Sequence, residues 1–302
     1  MSEPPAVFAD GLGKRYGSRW ALRDCTLEIP AGNVTALVGP NGAGKTTLLH
    51  LIVGLNGPST GDVKVFGHAP RRDATLVLPR VGFVAQDHPL HRGFTIGETL
   101  KLGRKLNTTW NDTVAMERIE RLGLSLRQKV GKLSGGQQAQ IALTLALAKQ
   151  PDLLVLDEPI ASLDPLARRE FLQTVMQATA ETGMTVILSS HIVADLERVC
   201  DHLVILADGH LQLAGPIEEI VASHRLLTGP RSEAPDVAHV HEVIRESHTE
   251  RQTTLLVRAN GHVYDSRWQL HEVDLEEIVL AYLGHRNGSA PANATVREVA
   301  AP

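Results

Sequence analysis

The chain's 302 residues are enough for a large core and more than one domain, and a formal net charge of −4 excludes the basic excess of a typical nucleic-acid binder. No apolar run approaches the ~20 residues that cross a bilayer, so a membrane role must come through a partner chain. Met1-Ser2-Glu3-Pro4-Pro5 lacks the basic stretch and apolar core of a signal peptide, and the widely separated Cys25 and Cys200 read as reduced thiols of a cytosolic protein.

In chain order, residues 7–9 and 27–29 read as strands, and Pro30-Ala31-Gly32-Asn33 as a turn. Val34–Val38 is a short β-rich run that enters a glycine loop directly, and residues 46–54 follow as a helix with Leu48, Leu49, Leu51, Ile52 and Val53 apolar. Residues 63–66 and Val81–Val84 are further strands. Residues 88–150 change character and read as a helical insertion. Its last helix spans 137–149, apolar at Ile141, Leu143, Leu145 and Leu147, with Pro151 beyond it. Leu153–Leu156 is a buried-type strand ending at Asp157-Glu158. Residues 168–182 read as an amphipathic helix and 186–188 as a strand ending near His191. Residues 204–206 and 211–213 flank Ala207-Asp208-Gly209-His210, a hairpin turn. Strands alternating with helices predict a mainly parallel α/β sheet. Beyond Pro216 the pattern weakens: a helix over 237–246, a strand over 253–257 and an amphipathic helix over 275–283 make a small α+β accessory domain. Residues 285–302, rich in Ala, Pro, Asn and Gly, read as a disordered tail.

Chemistry concentrates in Gly39-Pro40-Asn41-Gly42-Ala43-Gly44-Lys45-Thr46-Thr47. Its glycines let the backbone turn N–H groups inward, forming with the next helix's N-terminus a nest for phosphate oxygens. Lys45 would place its ammonium on the β and γ oxygens, each charge-assisted bond worth roughly 1.5–3 kcal/mol. Thr46 offers a hydroxyl to Mg²⁺, and Asp157, at its strand end, a carboxylate to the same ion. Glu158 can accept a proton from an attacking water. In Leu133-Ser134-Gly135-Gly136-Gln137, Ser134 is a good helix N-cap, and the two glycines allow close backbone approach.

These residues resemble the ATP-binding cassette (ABC) family over roughly residues 7–215, with several independent motifs in the family's order. Residues 39–47 resemble the Walker A motif, 153–158 Walker B with its catalytic glutamate, and 133–137 the signature sequence. Gln86 stands where the Q-loop glutamine stands and would touch Mg²⁺ or the attacking water. Ser162-Leu163-Asp164 resembles the D-loop, with Asp164 tying two sites together, and His191 the switch histidine. Tyr16 resembles the aromatic that stacks on adenine, with Trp20 the runner-up. The resemblance implies a P-loop NTPase cassette with a mixed sheet core, N-terminal antiparallel strands and a helical subdomain at about 88–150. It implies that residues 1–215 are the cassette and 216–284 the accessory domain. It also implies that ATP and Mg²⁺ are sandwiched between two cassettes, a homodimer or a heterodimer, with Ser134, Gly135, Gly136 and Gln137 closing over the opposite protomer's nucleotide. One departure stands out: Gln138-Ala139-Gln140-Ile141 lacks the arginine or lysine that cassettes usually carry there.

A cassette without a membrane span implies an integral membrane permease as second partner, no nucleic acid, and a cytoplasmic, peripheral position on the inner face of the cell membrane. Phe83, Phe94 and Leu100 are candidates for a docking groove, Phe83 reading better as core. The cassette and the helix over 275–283 look more like bacterial multidrug-type exporter ATPases than long-tailed sugar importers. A soluble ribosome-associated or DNA-repair ATPase is the alternative. Against it stand the single cassette, the missing charged linker and an insertion too short for a coiled coil. His239, His241, His248, His262 and His271 read as a solvated face, not a metal site, because in a helix residues two apart diverge.

Overall fold

The computed structural model describes residues 4–161, 163–193, 196–231, 234–259 and 267–284. Ser162, His262 and the expected tail at 285–302 lie outside them.

Two strands, β1 (Val7–Tyr16) and β2 (Arg19–Ile29), form a hairpin, with β4 (Thr60–Val65) on the free side of β1. All pairs in this three-stranded sheet are antiparallel. Both hairpin strands run farther than the apolar triplets predicted, because backbone pairing continues through Lys14, Arg15 and Tyr16 on the solvent side. The strand β3 (Val34–Val38) is buried at every position, as a strand covered on both faces must be. It leads through the glycine loop into α1 (Lys45–Ile52).

The central sheet adds β5 (Val81–Val84), β6 (Leu153–Leu156), β7 (Thr185–Ser190), β8 (His202–Ala207) and β9 (His210–Pro216), in the order β5-β6-β7-β3-β8-β9. The first five are parallel, and β9 closes the edge antiparallel to β8. The β8–β9 turn places Asp208 and Gly209 at φ 49° and 78°, the left-handed pair that a two-residue hairpin requires. One face of this sheet packs with α1 and the antiparallel sheet, so Leu48, Leu49, Leu51 and Ile52 of α1 are sandwiched. Each such burial stabilises by about 1.5–3 kcal/mol, and together they fix the helix that carries Lys45.

The insertion folds as predicted in kind, with α3 (Ile96–Leu106), α4 (Asp112–Arg121) and α5 (Gly135–Ala148), preceded by the short α2 (Ala74–Val77). It has its own apolar cluster, including Ile96, Leu100, Ile119 and Ile141. Leu100 is therefore a packing residue, and Phe83 is half-buried, edge-on to His50 at 5.9 Å. The long α6 (Pro165–Thr182) covers the other face of the central sheet, burying Phe171, Leu172 and Val175 there.

Past β9 lie α7 (Ile217–Ser223), β10 (His224–Pro230), α8 (Ala234–Val240), β11 (Glu242–His248), β12 (Gln252–Arg258), β13 (Gln269–His271) and α9 (Leu275–Gly284). The strands form a separate antiparallel sheet in the order β11-β12-β10-β13. The helix expected over 237–246 is wrong in its second half. Val237, Val240 and Ile244 have helical spacing, but β-branched Val243 pairs with Val257 of β12, and Ile244, at a break in the register between Val243 and Arg245, enters the core. His239 and His241 thus share neither a strand nor a helix: His239 is exposed on α8, and His241 is buried just after it. Among the described residues no three metal-ligating side chains gather. The accessory segment shares the cassette's core, since Leu275, Ile278 and Val279 of α9 join the cluster that holds Leu203 and Ile205 of β8. His224 is fully buried, with Nδ1 against the Ile220 carbonyl at 2.6 Å and Nε2 against the Tyr282 hydroxyl at 3.0 Å. Burial pushes both cysteine thiols up to about 12, so they are inert apolar fillers.

Burial holds His88, His202 and His224 below the usual histidine range, so each is neutral in the fold. Their unfolded counterparts bind protons near pH ~6.5, so the contribution is complete above that value and is lost as pH falls below it. The urea midpoint should fall between pH 7.5 and 5.5; equal midpoints would show that these histidines are protonated in the fold.

Candidate active site

The glycine loop follows the C-terminal end of β3, where ligands of parallel sheets sit. Gly42 and Gly44 have φ of 84° and 105°, values that L side chains avoid. A Cβ on Gly44 would lie 2.5 Å from the Ala21 carbonyl oxygen, and one on Gly39 would run into that of Leu206. The loop is therefore held tight against β2 on one side and β8 on the other. Pro40, Asn41, Gly42 and Thr46 are exposed, Ala43 is buried and Thr47 is half-buried. Gly44 caps α1 without a side-chain acceptor, so the first amides of the helix are left for an outside anion.

Lys45 is 5 % exposed, and its ammonium donates to the Gly39 carbonyl at 2.6 Å and the Pro40 carbonyl at 3.3 Å. Its third partner is Glu158 Oε1 at 3.1 Å. Glu158 Oε2 meets His191 Nδ1 at 2.9 Å. Three residues that the sequence places far apart thus form one chain of contacts at the same end of the sheet. Burial pushes the Glu158 carboxyl up, but the Lys45 ammonium and then His191 outweigh it and hold the group below the ordinary carboxylate range. Glu158 also has φ 43°, a left-handed conformation that costs a non-glycine residue of order 1–3 kcal/mol. Its amide, donating to Ser189 Oγ at 2.8 Å, helps to hold that turn. The same hydroxyl donates to Asp157 Oδ1 at 2.8 Å, which orients the carboxylate. Ser189 was not singled out by sequence, although Ser189-Ser190 directly before His191 is the signal that could have found it.

Gln86 is exposed in the turn two residues past β5, whose neighbour β6 ends at Leu156, directly before Asp157. Asp157, Gln86 and Thr46 are all oxygen donors, which suits Mg²⁺, a hard ion that takes few protein ligands and keeps water and phosphate oxygens. Tyr16 is 49 % exposed at the hairpin tip, its hydroxyl accepting from Asn56 at 3.1 Å, so a ring face is available. Trp20 packs against Gly13 and is the poorer stacking candidate.

Ser134 caps α5 with a full capping box: Gln137 N–H donates to Ser134 Oγ at 3.2 Å and Ser134 N–H to Gln137 Oε1 at 3.0 Å. Ser134 and Gly135 are exposed, so this helix end is presented outward. A Cβ on Gly136 would lie 3.2 Å from that of Ala167, so the starts of α5 and α6 lie side by side. Asp164 caps α6, accepting from Leu166 and Ala167 N–H groups at 3.1 and 3.0 Å. Among the described residues, no hydrogen bond or ion pair links the signature turn to Lys45, Glu158 or His191. The uncharged stretch of α5 meets a cation of α4: the buried Arg118 donates to Thr144 Oγ1 at 3.1 Å and Gln140 Oε1 at 3.2 Å. Nothing local in the sequence marks Arg118, because its partners are 22 and 26 residues away.

Residues 22–161 match the family described as ABC transporter. The chain is 36% identical over 211 residues to Nod factor export ATP-binding protein I of Rhizobium johnstonii, covering 68% of each. It is 30% identical over 308 residues to linearmycin resistance ATP-binding protein LnrL of Bacillus subtilis, covering 91% of this chain and 97% of that one. Other similar proteins are named as import ATP-binding proteins. A solved dimeric structure of a bacterial ABC transporter cassette superposes with a TM-score of 0.62 at 25% identity, over 70% of this chain and 98% of that one.

The two strained glycines should respond unequally. Gly42→Ala meets only the left-handed backbone cost, about 1–2 kcal/mol, whereas Gly44→Ala adds a collision with the Ala21 carbonyl. Urea unfolding should show the larger loss for Gly44→Ala, and that variant should also lose nucleotide binding in a fluorescent ATP-analogue titration.

Proposed function

Because this chain belongs to the ABC transporter family of ATP-binding proteins, we propose that it is the ATPase engine of an exporter, working as a pair of cassettes under a separate membrane permease. The protein is an ABC-type ATPase with the α/β P-loop NTPase fold. The observation that carries the reading is the convergence of Lys45, Glu158 and His191 at the mouth of the glycine loop. In this proposal residues 1–215 are the cassette, with its helical subdomain at 88–150, and residues 216–284 are an accessory domain.

The contacts suggest an order of events. With Lys45 bound to Glu158, the carboxylate is neutralised and a poor base. Phosphate oxygens compete for the ammonium, since a triphosphate offers more negative charge than one carboxylate. Glu158 then keeps His191 and gains a free oxygen for a water. That water attacks the γ-phosphorus, the bond to the ADP oxygen breaks, and the water's proton passes to Glu158. Thr46, Asp157 and Gln86 would hold Mg²⁺, which neutralises phosphate charge when bound. His191, half exposed, would donate to the γ-phosphate. Tyr16 would stack on the adenine. The outward end of α5 supplies what one chain lacks: Ser134, Gly135, Gly136 and Gln137 would close over the nucleotide of a second copy, with Asp164 joining the two sites. No described helix is long and apolar enough to cross a membrane, which suits a peripheral subunit on the inner face of the cell membrane. Export is favoured by the similarity to Nod factor export ATP-binding protein I, and the similarity to the linearmycin resistance protein runs through the accessory region.

Glu158→Gln should slow ATP turnover by about 10²–10⁴-fold and yield an ATP-trapped dimer on light scattering. Lys45→Ala should abolish ATP binding. Unchanged turnover in Glu158→Gln would remove Glu158 from the mechanism. A Glu158→Gln protein that stays monomeric with Mg-ATP, alone and beside its co-purified permease, would overturn the sandwich.

A further inference from the structure

A cavity of about 500 Å³ lies between the helical subdomain and the central sheet. Its walls include Arg80, Asp152 and Thr185, at the N-terminal ends of β5, β6 and β7. The glycine loop lies at the C-terminal end of the same parallel strands, so the two sites are on opposite edges of the sheet. The size and the mixed lining are those of a small-molecule pocket.

The chemistry of the wall is unusual in one respect. Arg118 lines it, is 9 % exposed, and bonds only neutral groups, Thr144 and Gln140, among the hydrogen bonds of the described residues. Among the described residues no carboxylate lies within ion-pair distance of it, whereas Arg80, at the sheet edge of the same cavity, is paired with Asp152. Burial and the neighbouring Arg121 cation pull Arg118 down to about 10, which leaves it charged at neutral pH. A buried cation without an anion is costly, and an anion entering from the cavity would relieve that cost. The inner wall includes the apolar Val114, Leu147, Ala178 and Met184, while Glu117, Arg121 and Glu181, all exposed, also line the cavity, so Arg118 is its buried cation.

We propose that this cavity binds a small amphiphilic organic monoanion, with its carboxylate or sulfonate head on Arg118 and its hydrocarbon body against Val114, Leu147 and Met184. The site does not depend on the ATPase reading. It touches the signature turn through one element: Arg118 is held by Gln140 and Thr144 of α5, and the first turn of α5 is Ser134-Gly135-Gly136. Occupancy would therefore bias where α5 sits against α4.

Calorimetric titration of the full nucleotide-free chain with octanoate, decanoate and naphthalene-1-sulfonate tests this. At least one should bind saturably at one site, at least about tenfold more tightly than uncharged 1-octanol. Arg118→Gln and the cavity-filling Ala178→Trp should each weaken that binding by at least about tenfold, and Ala178→Trp should leave the affinity for a fluorescent ATP analogue unchanged. No saturable binding of any of the three, equal affinity for 1-octanol, or full affinity in Ala178→Trp would overturn the proposal. Ala178 makes no bond to Arg118, so that variant decides the matter if Arg118→Gln fails to fold.

Discussion

A lysine ammonium buried at the start of α1 sets the terms for everything around it. Lys45 cannot stay charged there without oxygen acceptors, and the fold supplies two carbonyls of its own loop and the Glu158 carboxylate. The carbonyls are available only because the loop bends through left-handed glycines. The carboxylate is available only because Glu158 accepts a left-handed backbone just past β6, two strands from β3 in the same sheet. These contacts thus close a circuit of charge around the ammonium.

The parts of this site that sequence revealed are those whose chemistry is local. A β-rich run, three glycines, a lysine and a following apolar helix announce a phosphate loop because each residue's role depends on its neighbours. Leu153–Leu156 running into Asp157-Glu158 is legible for the same reason. The Lys45–Glu158 contact, the Ser189 hydroxyl shared by Asp157 and the Glu158 amide, and the Arg118 bonds to α5 were not legible. Each joins residues brought together only by sheet order or helix packing. The accessory segment was misread where apolar spacing at Val237, Val240 and Ile244 fits a helix, while the pairing partner that makes β11 a strand lies several residues downstream.

The helix α5 carries more of the architecture than its motif suggests. Its first turn is a capping box facing outward, its middle holds a cation borrowed from α4, and its flank packs beside the start of α6. Read alone, residues 138–141 carry no charge. In three dimensions the Arg118 guanidinium of α4 bonds Gln140 and Thr144, so α5 has a cation beside it although its own sequence there has none.

Strand β8 has two faces with two duties. Val204 and Leu206 pack toward α1, and the Leu206 carbonyl limits how far Gly39 can grow, while Leu203 and Ile205 pack toward α9. Side chains alternate along a strand, so neither set can shift without displacing the other. The last described helix, α9, therefore shares a wall with the phosphate loop. Its apolar residues, remote from any nucleotide, should drift over generations only as far as that wall stays in place.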